Sequence, residues 1–319
     1  MEDDIPGTAL QWVRSGQRAA LATVVETWGS APRRPGAQMA VSGSGAIAGS
    51  MSGGCVEAAV VTEALDALAD GRPRLLTYGV SDGDAFAVGL ACGGTIRVLV
   101  EPVGPDPGLP EAMLADLVAA RAARRALALC TDLASWDRAL TAPPGDGPLA
   151  ERFRRGQSGV DDGVFTALHL PAPRLVVIGA VHIAQALAPM ARIAGFAPIV
   201  IDPRPAFATT ARFPDAQVIA DWPPEALPAL DAHTGLAALT HDPKIDDPAL
   251  RAALASPAFY IGALGSRRTH AARLERLMGA GDAARIHGPI GLDIGAATPA
   301  EIAVAILAQI VAARRRPDA

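Results

Sequence analysis

The sequence is short of several things, and each shortage narrows what the protein can be. Three cysteines, Cys55, Cys92 and Cys130, are too few for a disulfide framework. With no signal peptide in view, they point to a reducing cytoplasm. No run of about 18 apolar residues is free of charge or Gly/Pro breaks, so no membrane span is expected. No histidine precedes His169, and two thiols as far apart as Cys55 and Cys92 do not make a four-ligand zinc set in the first half of the chain. Aromatic residues make up only 4%, so Ala, Val, Leu and Ile must fill the interior. Lysine is nearly absent: Lys244 stands alone among 28 basic residues. A lysine kept where arginine has replaced all others is either chance or a position that needs a compact ammonium. The net charge of −5 carries no basic excess, which argues against nucleic acid or an anionic membrane as partner.

What is present is hydrophobic material for two cores. Half of the 319 residues are apolar, and single cores rarely grow beyond about 250–300 residues. Arg174 to Leu187 sets the boundary. It reads as a buried strand, a turn on Gly179 and an apolar helix, followed by a second strand, Ile199 to Asp202, ending in an acid. That is the first half of a Rossmann unit. The expected fold is therefore α/β, with an N-terminal mixed α/β domain over 1–170 and a C-terminal Rossmann-like, doubly wound domain over 171–319. The glycine fingerprint is incomplete: Val181 occupies the second glycine position and Ala184 the third.

In the first domain, strands are expected over 20–27, 38–41, 46–49, 74–78, 95–101, 126–131 and 163–170. Helices are expected over 8–16, 56–70 and 110–125, and a loop or flap over 142–162. Cys130 falls in an apolar run and reads as core. Two glycine-cysteine loops stand out. Ser52-Gly53-Gly54-Cys55 sits at the start of a helix carrying Glu57, where free backbone N–H groups would lower a thiol pKa or hold an anion. The alternative is a tight turn around a small buried thiol. Cys92-Gly93-Gly94 is the second such loop, and Arg33 and Arg34 lie between prolines nearby in sequence.

In the second domain the carboxyl ends of the strands are the expected ligand edge. They bring up Gly179, His182, Asp202 for a ribose hydroxyl, and His241, Asp242 and Lys244. His182 and His241 are either a metal pair or ordinary hydrogen-bonded histidines. Ser266, Arg267 and Arg268 start a helix and read either as an anion site or as a capped, solvated turn. Thr298-Pro-Ala-Glu301 is a helix start with Glu301 as a capping residue.

The chain resembles the XdhC/CoxI family of accessory proteins for molybdenum hydroxylases of the xanthine dehydrogenase and carbon monoxide dehydrogenase type. The resemblance rests on the segments Ala22 to Arg33, Gly49 to Glu57 and Gly89 to Thr95 in the first half. In the second half it rests on Gly179 to Gln185, Leu239 to Lys244, Tyr260 to Arg268 and Pro289 to Gly295. It implies a cofactor chaperone rather than a turnover enzyme. Such a protein binds the molybdenum cofactor (molybdopterin), protects it during sulfuration and delivers it to an apo molybdenum hydroxylase, with a cysteine desulfurase as a further partner. Cys55 and Cys92 would then be molybdenum or sulfur contacts, and a homodimer is the default assembly. The competing class is an NAD(P)-dependent oxidoreductase using Asp202 and a reactive Cys55.

Overall fold

The computed structural model describes residues 4–29, 33–54, 56–79, 94–104, 106–223 and 225–315. The chain divides into two compact units, 2–171 and 172–319.

The first unit runs α1 (Ile5–Arg14), β1 (Ala19–Trp28), β2 (Gln38–Ser42), β3 (Ile47–Gly49), α2 (Glu57–Asp70), β4 (Arg74–Tyr78) and β5 (Thr95–Pro102). It continues with α3 (Glu111–Ala122), β6 (Leu127–Asp132), β7 (Arg138–Thr141), α4 (Gly147–Arg155), β8 (Gly159–Asp161) and β9 (Val164–His169). Five strands form an antiparallel sheet in the order β3-β2-β1-β5-β4, and four more form a second sheet, β7-β6-β9-β8.

β1 is buried on both faces, which is why it reads as an unbroken apolar run. Ala20, Ala22 and Val24 pack under α2, with Val60, Ala64 and Ala67. Ala19 and Leu21 face the opposite layer of α1, α3 and the second sheet, with Leu10, Leu117, Leu129 and Phe165. Val25 continues that second layer by ordinary alternation, and the register with β5 shifts between Val24 and Glu26. A buried ion pair ties the two sheets together: Arg138 Nε on β7 donates to Glu101 on β5 at 2.6 Å, with both side chains 4% exposed. Burial pushes the Glu101 carboxyl up, and Arg138 opposes it.

The span expected as a loop, 142–162, carries α4 and β8 instead. Its polar sequence hides a helix whose Arg152 reaches Asp161 on β8 at 2.6 Å and the carbonyl of Val160 at 3.2 Å. Gly156 closes α4 in the left-handed conformation. Cys130, expected in the core, is only half-buried, with Sγ 3.9 Å from the Thr166 hydroxyl.

The second unit runs β10 (Arg174–Ile178), α5 (His182–Ile193), β11 (Ala197–Ile201), β12 (Gln217–Ile219), β13 (Thr234–Ala238), α6 (Pro243–Leu254), β14 (Tyr260–Ala263), α7 (Arg267–Arg276), β15 (Ile286–His287) and α8 (Pro299–Arg315). All six strands are parallel, in the order β12-β11-β10-β13-β14-β15. This is the doubly wound Rossmann order, with its reversal at β10. Alternate residues of β10 serve opposite cores. Leu175 and Val177 pack with α5 and α8, while Val176 and Ile178 pack with α6. The apolar pattern predicts that the strand before His241 extends to Thr240. The structure ends β13 at Ala238 and starts α6 at Pro243, with Asp242 as N-cap accepting from Lys244 N at 2.9 Å.

Candidate functional site

In the first unit, the residues leading into α2 fold around one carboxylate. Glu57 Oε1 accepts from the Ser50 hydroxyl at 2.8 Å, Met51 N at 3.2 Å and Ser52 N at 2.9 Å. Its Oε2 accepts from the Ser52 hydroxyl, from Gly54 N at 2.9 Å and from Val56 N at 3.2 Å. Burial works against the charge, but these donors, led by Ser52, outweigh it and hold the carboxyl at about 2. Gly53 N is also taken, by the Ser50 hydroxyl at 3.2 Å. Gly53 and Gly54 are exposed at φ +74° and +110°, a conformation that favours glycine.

The Gly53 and Gly54 N–H groups, read from the sequence as able to face an anion, are here bonded to Ser50 and Glu57. The turn already encloses the chain's own carboxylate. Glu57 is the acceptor around which the loop closes. Cys55, Cys92 and Gly93 lie outside the described residues. Gly94 is buried immediately before β5, and Arg33 and Arg34 are exposed on the approach to β2.

In the second unit, the carboxyl edge of the sheet is more closed than a nucleotide site. Asp202 follows β11 with its side chain fully buried. Its carboxylate accepts from Ala180 N at 2.8 Å, Arg204 N at 3.0 Å, Arg204 Nε at 2.8 Å and Arg204 Nη2 at 2.6 Å. Burial raises the Asp202 pKa, but the Arg204 bonds and the Ala180 N–H pull it below the ordinary value. Arg212 Nη1 in turn donates to the Ala180 carbonyl at 2.9 Å, so both polar ends of that residue are engaged. Arg204 and Arg212 also lie over the Phe207 ring, at 4.3 and 5.4 Å. The Asp202 carboxylate, expected to face a ribose hydroxyl, is here engaged by an arginine two residues on. Gly179, at φ +105°, is dictated by packing, since a Cβ there would lie 2.5 Å from Thr240 Cγ2.

Beyond β13, the loop into α6 is pinned from beneath. Asp246, buried in α6, accepts from the Thr240 hydroxyl at 2.7 Å, Thr240 N at 3.3 Å and His241 N at 3.0 Å. Arg273 of α7, also buried, has Nη2 3.9 Å from Asp246 and 2.8 Å from the Leu264 carbonyl. Burial lifts the Asp246 pKa and lowers that of Arg273. This scaffold holds His241 at φ +65°, a left-handed conformation costly for a residue with a Cβ. His241, Asp242 and Lys244 are all exposed at this edge. His182 is exposed at the first position of α5, whose N-cap, Val181, supplies no side-chain acceptor. Ser266 caps α7 by accepting from Thr269 N at 3.1 Å, with Arg267 and Arg268 exposed behind it. Attraction to Asp242 adds to that of Asp202 in raising the Arg204 pKa, so the two sides of the switch point feel each other.

Sequence alone does not single out Arg204, Arg212, Asp246 or Arg273. Arg204 carries a signal, an arginine two residues after a strand-ending acid; the other three become visible only when helices and loops meet. Among the described residues, no group of three or more His, Cys, Asp or Glu side chains is placed to hold a metal.

Comparison with known proteins agrees with this two-part layout. The sequence model of the XdhC and CoxI family matches residues 12–79, and that of the XdhC Rossmann domain matches residues 175–310. The chain is 30% identical to the molybdenum cofactor insertion chaperone PaoD of Escherichia coli, over 96% of this chain and 86% of that protein. It is also 30% identical to a Bacillus subtilis protein named as a probable xanthine dehydrogenase component, covering 94% of each. A crystal structure described as a xanthine dehydrogenase from Bacillus halodurans superposes with a TM-score of 0.76 at 27% identity, covering 97% of this chain and 95% of that one. No helix among the described residues is long and apolar enough to cross a membrane. The parallel sheet in Rossmann order, the mixed domain before it and the two family matches together place this chain in the XdhC/CoxI family.

Proposed function

We propose that this protein binds the molybdenum cofactor, shields it while its terminal sulfur is installed, and delivers it to an apo molybdenum hydroxylase. The cofactor is cargo here, not a resident group. The reading draws on the similarity to a protein named as a cofactor insertion chaperone. The Arg204 guanidinium seated on Asp202 favours this reading over an NAD(P)-dependent oxidoreductase. A dinucleotide would need that carboxylate for its ribose, where Arg204 and the Ala180 N–H already sit, and a glycine at the second fingerprint position for its pyrophosphate, where this chain has Val181.

The cargo is a dithiolene pterin carrying a phosphate. Soft thiolates suit its metal and its sulfur chemistry, and Cys55 and Cys92 are assigned to that contact. The phosphate falls to Arg33 and Arg34, because the Gly53–Gly54 turn already contains Glu57. Glu57 is assigned to shaping the loop that presents Cys55. A cysteine desulfurase is the proposed sulfur donor.

The test is cofactor retention. The purified full chain is mixed anaerobically with molybdopterin cofactor, desalted, and assayed for molybdenum and pterin. Near-stoichiometric retention that collapses in the Cys55→Ser/Cys92→Ser double variant is expected. Failure of the wild type to retain cofactor, with reduced nicotinamide bound and oxidised instead, would establish the oxidoreductase.

A further inference from the structure

At one end of the five-stranded sheet a carboxylate, a guanidinium and an indole stand on one face. Strict alternation would turn Glu26 toward α2, as it does Val24. The register shift after Val24 instead sets Glu26 opposite Arg97 and Trp28 opposite Thr95. Ile96 and Val98 fill the α2 side of β5, so these two cross-strand pairs lie on the other face. Arg97 Nη1 donates to Glu26 Oε2 at 2.9 Å, and the side chains stay reachable at 35% and 29% exposed. Among the described residues, Glu26 Oε1 and the other N–H groups of Arg97 have no partner. Trp28 is 50% exposed, and it is the one exposed aromatic side chain among the described residues of the first unit. The loop carrying Arg33 and Arg34 returns to the same strand end: Gly36 N donates to the Val24 carbonyl at 2.8 Å, and Ala37 N to that of Arg34 at 3.1 Å.

We infer that Glu26, Arg97 and Trp28 seat the fused ring of the cargo, the part that neither the thiolates nor the phosphate contacts would hold. This deepens the reading of the cargo as the molybdenum cofactor and rests on it. One edge of a pterin presents an amino group and a neighbouring ring N–H, both donors, and then a ring carbonyl, an acceptor. A carboxylate beside a guanidinium is the complement of that edge. The carboxylate accepts two parallel N–H bonds, and the guanidinium donates to the carbonyl. Each carboxylate oxygen takes more than one bond, so the Arg97 contact with Glu26 can persist while the ring is bound. Residues two apart on a strand stand about 7 Å from each other, a span that a two-ring system covers. Trp28 is therefore placed to stack on the ring whose edge Glu26 reads. Guanine presents the same edge, so the recognition chemistry is common to both rings, and the cargo assigns the seat to pterin.

Calorimetric titration of the full chain tests it with three probes: free pterin, lumazine, in which a carbonyl replaces the amino group, and guanosine monophosphate. Pterin should bind about tenfold or more tightly than lumazine and quench the emission of Trp28. Glu26→Gln should weaken pterin about tenfold or more and erase the preference over lumazine. Trp28→Ala should weaken both ring systems alike, while Trp28→Phe should keep the binding and lose that part of the quenching. All three variants alter exposed side chains, so their circular dichroism spectra should match the wild type. A wild type that does not bind pterin, or binds pterin and lumazine equally, overturns the seat, as does wild-type affinity in Glu26→Gln. Guanosine monophosphate bound ahead of pterin overturns the assignment to pterin and gives the seat to guanine. Cofactor retention separates this inference from the delivery role. Full retention by both Trp28→Ala and Glu26→Gln would overturn the seat and leave delivery standing. Pterin preferred over lumazine by a chain that does not retain the cofactor would overturn delivery and leave the seat standing.

Discussion

Asp202 and Arg204 form a closed pair at the reversal point of the parallel sheet: the buried carboxylate takes Nε at 2.8 Å and Nη2 at 2.6 Å from an arginine two residues away. The same carboxylate holds the turn after β10 through Ala180 N. A residue that in nucleotide enzymes faces the ligand is here turned to the architecture of the edge. Asp202→Ala should therefore destabilise the protein by about 2 kcal/mol or more, since several charge-assisted bonds are lost at a buried site. Arg204→Ala should cost less, about 1 kcal/mol, because Arg204 is partly in solvent and water can replace it. Urea titrations of the two variants check the order.

Glu57 should make the first unit acid-sensitive. Its folded pKa of about 2 lies below the ordinary 4.5, so its contribution is fully present above about 4.5 and is lost as the pH falls toward 2. Glu57→Gln, which cannot accept all six hydrogen bonds as an anion, should lose about 1–2 kcal/mol at neutral pH. It should also flatten the acid limb of the stability curve. A Gln variant as stable as wild type at pH 7 would remove Glu57 from its place at the centre of the loop.

Gly179→Ala meets two obstacles, the φ of +105° and the Thr240 methyl 2.5 Å from the new Cβ. The expected loss is about 2–3 kcal/mol. Thr240→Ser removes the methyl while keeping the hydroxyl that donates to Asp246, so the double variant should recover part of that loss but not the conformational share. Thermal melts of the two single variants and the double variant separate the contributions.

His241→Gly should raise stability by about 1 kcal/mol, because glycine relieves the left-handed strain while the backbone bond to Asp246 stays. The same change should lower maturation of a target hydroxylase if the imidazole serves the site. A stabilised variant with full maturation activity would reduce His241 to a turn residue.

Much of this is legible along the chain. The apolar run from Arg174 and the turn on Gly179 mark a parallel sheet, because both faces of β10 are covered and its residues must be apolar on both sides. Thr298, Pro299 and Glu301 signal α8 through local chemistry, and the structure has Glu301 accepting from Ala297 N at 2.9 Å and Thr298 N at 2.8 Å. Local rules fail where a polar sequence derives its order from distant partners. α4 is invisible in the sequence because its definition comes from Arg152 reaching β8, not from an apolar stripe.

The sequence by itself therefore determined the strand-helix alternation, the Rossmann half and the family, because those depend on periodicity, caps and motif order within short stretches. Only the tertiary structure decided which polar groups remain available. Glu57 and Asp202 both looked like ligand residues, since a carboxylate after a glycine turn or at the end of a strand has the same spelling whether it binds a guest or the chain itself. That choice is made by which donors lie within about 3 Å once the chain has folded, and a linear spacing does not carry that information.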